Sequence, residues 1–341
     1  MSFKERENIY IIAELSGNHN GSIKNAIETI RAAKRVGADA IKFQTYTADT
    51  MTLDCVNNDF LLSQGTIWDG EYLHDLYKKA FTPWEWHEEL FQTAKDEGID
   101  CFSTPFDKTA VDFLETLNNP IYKIASFEIT DIPLVKYVAS KGKPIIISTG
   151  IATTEDIELA LKTCKEAGNN QIALLKCTSS YPAPIVEANL VMIRDLAEQY
   201  GVVTGLSDHT LGIVAPVVAV TQGAKIIEKH FILDKSIGGP DASFSLDEKE
   251  FTQMVKAVRE AELAMGVIDY TLTDKQKQGR NFSRSLYIAE DVKKGDIVTL
   301  ENLKSVRPGY GMHPKHLPCL LGKRYTKDCI AGTRAKDELF E

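Results

Sequence analysis

Eight short runs of β-branched and aromatic residues recur through the first two-thirds of the chain, and amphipathic stretches separate them. The runs fall at residues 9–14, 40–44, 100–103, 121–125, 144–148, 172–176, 202–205 and 225–228. Helical spacing of apolar residues marks 23–36, 83–97, 154–167 and 190–200. Gly37, Gly98, Gly142, Gly168, Gly201 and Gly223 each stand just before a run, where a helix ends in a left-handed residue. Thr153-Thr154-Glu155-Asp156 reads as a capped, acidic helix start. A strand followed by a crossover, eight times over, predicts a closed (β/α)8 TIM barrel. An open doubly wound sheet is the alternative, but it usually has fewer strands.

Composition removes other classes. The 341 residues include 39 Lys and Arg against 48 Asp and Glu, a net charge of −9. No nucleic-acid partner is expected, because phosphate backbones call for a basic surface. No apolar run reaches the roughly 18 residues of a membrane span, and the charged first residues lack a leader-like apolar stretch. The six cysteines show no CxxC spacing. A cytoplasmic, reduced protein that engages no membrane is expected.

Beyond the barrel the texture changes. Residues 1–266 read as the barrel, and 267–281 as a polar linker containing Lys275-Gln276-Lys277-Gln278-Gly279-Arg280. Residues 282–341 hold Pro308, Pro314 and Pro318 among short alternating runs, which reads as a small β-rich domain. That last segment carries +3 and the remainder −12. Opposite signs permit docking of one on the other, within a chain or between chains, and a merely soluble appendage is the alternative.

Barrel sites are built at the C-terminal ends of the strands, and here those ends are polar. They include Glu14, Lys42 and Gln44, Thr104, Lys123 and Ser126, Ser148, Cys177 to Tyr181, Ser207 to His209, and Glu228 to His230. Residues i and i+2 of a strand share a face, so Lys42 and Gln44 point together, as do Glu228 and His230. Lys42 and Lys123, with hydroxyls from Thr104, Ser126 and Ser148, suit a ligand bearing phosphate and carboxylate. Either lysine alone also fits a strand-end residue whose stem is buried and whose head reaches water. His209 and His230 end adjacent strands and are candidate ligands of a transition metal with open positions. His19 competes as ligand or base. His74 and His87 lie in charge-rich helical stretches and are expected at the surface; His313 and His316 fit either reading. A strand lysine also admits Schiff-base aldol chemistry through Lys123 or Lys42. Trp84 and Trp86 read as packing residues.

Several runs resemble the sialic acid synthase family: 13–21 (AELSGNHNG), Lys42-Phe43-Gln44-Thr45, Phe102-Ser103-Thr104-Pro105-Phe106, Lys123-Ile124-Ala125-Ser126, 177–182, 206–210 and Glu228-Lys229-His230-Phe231. The resemblance covers nearly the whole chain in family order. It extends to that family's C-terminal antifreeze-like (SAF) domain through Arg284-Ser285-Leu286 and Arg307-Pro308-Gly309. Within the family, 238–245 (GGPDASFS) resembles the branch that makes pseudaminic acid, because Ala242-Ser243 stands where N-acetylneuraminate synthases tend to carry His-Lys.

The resemblance implies condensation of phosphoenolpyruvate with an open-chain amino sugar and release of phosphate. For this branch the sugar is 2,4-diacetamido-2,4,6-trideoxy-β-L-altropyranose. It implies phosphoenolpyruvate binding by Lys42, Thr104, Lys123, Ser126, Ser148 and Ser207, and sugar binding by Asp241, Gln44, Tyr181 and Arg307. Glu14, Glu228 and His230 are implied as catalytic groups. His209 and His230 are implied as ligands of a divalent metal, Mn2+ foremost, with Mg2+ or Co2+ as alternatives. A domain-swapped homodimer is implied, with Arg307 reaching the barrel mouth from the partner subunit. Phe244 is expected at the methyl end of the sugar. The alternatives are an N-acetylneuraminate or legionaminate synthase, a metal-independent Schiff-base aldolase, and a non-catalytic sugar-binding protein.

Overall fold

The computed structural model describes Phe3 and residues 6–63 and 65–341. The chain divides into two compact units, Met1–Gly266 and Val267–Glu341.

The first unit is a closed barrel of eight parallel strands in sequence order. These are β1 (Tyr10–Glu14), β2 (Ala40–Thr45), β3 (Asp100–Pro105), β4 (Tyr122–Ile124), β5 (Ile145–Ser148), β6 (Ile172–Cys177), β7 (Val203–Asp208) and β8 (Ile226–His230). Closure comes from β1 pairing with β8, with Glu14 opposite His230, while its other edge sets Glu14 opposite Lys42 on β2. Nearly every strand residue is buried on both faces, because helices cover the outside and side chains fill the inside. The helices start and stop where local chemistry dictates. Ser22 caps the helix Ile23–Arg35, and Thr153 with Asp156 forms a reciprocal capping box on Thr154–Glu166. The helices His87–Glu97 and Met192–Tyr200 end on Gly98 and Gly201 in the left-handed region.

Strand parity divides the barrel interior into layers. The lower layer is apolar and includes Tyr10, Ile12, Ala40, Phe102, Ile146, Leu175, Val203 and Ile226. Two residues further along these strands, the same face carries Glu14, Lys42, Thr104, Ser148, Cys177 and Glu228. Alternate residues such as Ile11, Ile41 and Phe43 pack outward under the helices. At Gly205 the interior is crowded: a Cβ there would lie 2.2 Å from the carbonyl oxygen of Ile226. Only glycine lets β8 approach β7 this closely.

The longest departure from the repeat separates β2 from the helix that precedes β3. It contains a short helix, Ala48–Met51, an antiparallel bridge between Leu61 and Tyr72, and the helix Leu73–Ala80. The helical pattern at 83–97 resolves into a 3-10 turn, Trp84–Trp86, and the α-helix His87–Glu97.

The second unit has its own core, including Leu286, Ile288, Val298, Leu303, Tyr325 and Phe340. Its antiparallel pair is β9 (Ser285–Ile288) and β10 (Leu303–Val306), extended by isolated bridges such as Tyr287 to Arg334. The stretch 267–281 carries a short helix, Asp274–Gly279. Among the described residues, no helix is long and apolar enough to cross a membrane.

Candidate active site

The polar layer opens into a cavity of about 690 Å³ at the C-terminal ends of the strands, a size suited to small ligands. Lys42, Lys123, Glu14 and Glu228 meet at its floor. Lys42 forms an ion pair with Glu14, and its Nζ lies 3.7 Å from Oε1 of Glu228. Nζ of Lys123 lies 3.7 Å from the same Glu228 oxygen and donates to Ser148 Oγ at 2.7 Å. Ser207 Oγ donates to Glu228 Oε1 at 3.2 Å. Two ammonium groups are thus held in a buried layer by two carboxylates. Oε1 of Glu14 and Oε2 of Glu228 are buried without a hydrogen-bond partner.

Each group's titration follows from its neighbours. Burial pushes the Glu14 carboxyl up to about 7, with Glu228 adding to the rise and Lys42 opposing it. Burial works the same way on Glu228, but Lys123 and Lys42 outweigh it and hold that carboxyl below its ordinary range. Burial also acts against the Lys42 ammonium, yet Glu14 and Glu228 raise it overall. Lys123 has less compensation: burial, aided by the charge of Lys42, lowers it despite Glu228. Two carboxylates one strand apart therefore differ in proton affinity, the arrangement that separates an acid from a base.

Of the residues expected at the site, Glu14, Lys42, Gln44, Lys123, Ser126, Ser148, Tyr181, Ser207, His209, Glu228, His230 and Asp241 all line this one cavity. Thr104 sits deeper. It is fully buried, and its hydroxyl accepts a 3.1 Å bond from Lys42. Arg307 belongs to the second unit.

The two histidines stand with ring centroids 5.3 Å apart. Nδ1 of His209 faces the carbonyl of Thr178 at 3.0 Å, which leaves Nε2 for a ligand. His230 Nδ1 is buried and unpartnered, 3.9 Å from Asp241 Oδ2, and burial holds this ring well below its ordinary pKa, hence neutral. Among the described residues no group of three or more His, Cys, Asp or Glu side chains is arranged to hold a metal. His209 is pushed the other way: burial lowers it, but Cys177 and the Thr178 carbonyl raise it overall. Two adjacent imidazoles, one with an orphaned nitrogen, fit an open catalytic metal whose other positions are water and substrate, not a closed structural site.

Several expectations need correction. His87 is fully buried, bonded to Thr45 Oγ1 at 2.8 Å, and burial lowers it to about 4. His74 is buried as well and pairs with Asp49 at 2.9 Å. His19 uses both ring nitrogens structurally, toward Gly21 and Thr82, so it serves neither as ligand nor as base. Phe244 packs against the rings of Tyr181 and His230, at 5.3 and 4.9 Å, and is not part of the cavity wall. Trp84 does pack, stacking on Phe113 at 4.8 Å.

Two cavity residues, Glu128 and Ser179, stand near the polar strand ends in the sequence but receive no role from it. Glu128, in the 3-10 turn Phe127–Thr130 after β4, lines the cavity with Oε2 buried and unpartnered, and burial raises it to about 7. Ser179 also lines it, donating to Ser126 Oγ at 2.8 Å. Their polarity at strand ends is the available signal, but neither falls in a strand, so parity cannot place them.

Comparison with known proteins converges on one group. Residues 29–270 match the NeuB family and 283–340 the SAF domain. The chain is 49% identical over 339 residues to a pseudaminic acid synthase of Campylobacter jejuni subsp. jejuni, covering 99% of this chain and 98% of that one. It is 46% identical to the pseudaminic acid synthase of Helicobacter pylori, over 95% of each chain. The crystal structure of N-acetylneuraminic acid synthetase from Leptospira borgpetersenii, in complex with citrate, superposes with a TM-score of 0.72. That match has 31% identity and covers 80% of this chain and 90% of that one.

Proposed function

The chain belongs to the NeuB family, and from that membership we propose that it condenses phosphoenolpyruvate with 2,4-diacetamido-2,4,6-trideoxy-β-L-altropyranose and water, giving pseudaminic acid and phosphate. The observation that carries this reading is the buried Lys42–Lys123 pair beside Ser148, Ser207 and Glu228 in the same cavity as His209 and His230.

C3 of phosphoenolpyruvate bonds to the aldehyde carbon of the open-chain sugar, water adds at C2, and the C–O bond to phosphate breaks. Lys42 and Lys123 face the phosphate and carboxylate, with hydroxyls of Ser126, Ser148 and Ser207 completing the acceptor-rich ligand's contacts. Thr104 holds Lys42 from beneath. Before the ligand arrives, the two lysines are balanced by Glu14 and Glu228. An incoming anion competes with Glu14 for Lys42, and Glu14, already poised near 7, takes up a proton as it is displaced. Glu128 is similarly poised and suits proton donation toward the aldehyde oxygen. Glu228, held ionised by both lysines, suits activation of the attacking water. Gln44, Tyr181 and Asp241 orient the sugar. A divalent ion held by His209 and His230, Mn2+ with Mg2+ or Co2+ as alternatives, supplies Lewis-acid polarisation of the aldehyde when bound.

The working form is a homodimer in the cytoplasm, exchanging residues 282–341 so that Arg307 completes a neighbouring mouth. The barrel is taken as 1–266 and the linker as 267–281. The test is phosphate release from phosphoenolpyruvate with the diacetamido sugar and Mn2+, with the product identified by NMR. Release with N-acetylmannosamine in its place overturns the choice of sugar. The Schiff-base alternative draws on the lowered ammonium of Lys123, and borohydride inactivation in the presence of pyruvate would establish it.

A further inference from the structure

The lysines, glutamates and histidines of the cavity come from strand ends or the residues just after them, but another part of its wall has a different origin. Met51, Leu61, Leu62, Leu73 and Leu76 come from the excursion between β2 and the helix before β3. All but Leu76 are only half-buried, so they are apolar groups still open to the cavity. Among the described cavity-lining residues of this excursion, the one formal charge is Asp59, and it is exposed to solvent.

The excursion is fastened where it meets the site. Trp68 donates its indole N–H to the carbonyl of Pro240 at 3.1 Å, and its ring lies 5.5 Å from that of Tyr181. Tyr181 in turn packs 4.4 Å from His209. The apolar wall is therefore held in fixed relation to the histidines and to Asp241, the residue after Pro240.

The condensation decides which end of the sugar meets which wall. Its aldehyde carbon must approach the enolpyruvate held by Lys42 and Lys123, so C6 lies at the far end of the carbon chain, away from the lysine floor. We propose that Met51, Leu61, Leu62 and Leu73 form an apolar subsite for the C6 methyl of a 6-deoxy sugar, and that this subsite selects against a hydroxyl at that carbon. The assignment rests on the synthase reading above. A methyl against this wall gives up no hydrogen bond, whereas a hydroxyl leaves water without a partner in exchange. Phe244, enclosed between Tyr181 and His230, does not reach the cavity and plays no part in this contact.

The test compares kcat/KM, by phosphate release, for the 6-deoxy diacetamido sugar and its 6-hydroxy analogue. The native chain is expected to favour the deoxy sugar by about 10- to 100-fold, the range apolar pockets achieve against an added hydroxyl. Leu61→Asn and Leu62→Asn, each half-buried, are expected to reduce that ratio by roughly 10-fold, chiefly by loss on the deoxy sugar. Melting curves establish that each variant is folded, and Leu61→Thr and Leu62→Thr give the milder change where asparagine is not tolerated. Phosphate release with an unchanged ratio in all folded variants overturns the subsite alone. Absence of release from either sugar in the native chain overturns the synthase reading and the subsite with it.

Discussion

Lys229 donates to Asp208 at 2.5 Å in a fully buried ion pair, and neither residue lines the cavity. They are register partners on β8 and β7. The residues on either side of each, Ser207 and His209, Glu228 and His230, do line it. Lys229 also donates to the carbonyl of Thr210 at 2.6 Å, and Asp208 accepts from the amide of the same residue at 2.9 Å. The outward pair thus fixes the strand ends that present the inward one. Lys229→Met leaves a buried carboxylate uncompensated and is expected to cost about 3–5 kcal/mol of unfolding free energy in urea titrations. Adding Asp208→Asn is expected to recover most of that loss.

Glu128 gives a pH signature of definite sign. Its folded carboxyl titrates near 7 because burial disfavours the charge, while its ordinary value, which the unfolded chain keeps, is 4.5. The folded form therefore holds the proton more tightly, and stability present at low pH falls as pH rises between these values. Replacing Glu128 with Gln removes this loss. The variant is expected to match the native chain near pH 4 and to exceed it by up to about 3 kcal/mol above pH 7. Denaturation curves across that range check it.

Removing metal with EDTA is expected to abolish phosphate release, and Mn2+ to restore it. His230→Ala is expected to weaken Mn2+ binding, read by calorimetry, by roughly 100-fold or more without lowering the melting temperature. Unaltered binding in that variant would remove His230 from the ligand set.

Mixing two inactive variants tests whether Arg307 acts between subunits. Lys123→Met disables one barrel and Arg307→Ala one partner domain, so random exchange of subunits gives some dimers with one complete site. Roughly a quarter of native activity is then expected from an equal mixture. No recovery after verified exchange places Arg307 in its own chain's site.

Much of this site was legible because strands have a period of two. Lys42 with Gln44 and Glu228 with His230 followed from parity once the strands were placed, and the barrel's order brought His209 beside His230. Closure brings Lys123 of β4 within reach of Glu228 on β8, a relation no local pattern contains. Parity also stops at the strand ends. Ser16 sits in a 3-10 turn with φ of 46° yet still lines the cavity, and Glu128 occupies a similar turn. His87 reads as a surface residue because Glu88 and Glu89 follow it, whereas Thr45 and the ring of Phe113 enclose it. The excursion after β2 offered no period at all, and its leucines gave no sign in sequence that they line a wall.

The depth of the two lysines has a kinetic meaning. Lys123 and Lys42 are 2% and 3% exposed, at the floor of a cavity whose wall is shared with the excursion. A sugar seated first would cork the passage above an empty anion site and form a dead-end complex. On the synthase reading, turnover is expected to be ordered, with the enolpyruvate entering ahead of the aldehyde and excess sugar inhibiting, which initial rates at fixed phosphoenolpyruvate check. By the same geometry phosphate, freed at the bottom, is expected to leave after the nine-carbon acid has cleared the way, which product-inhibition patterns check.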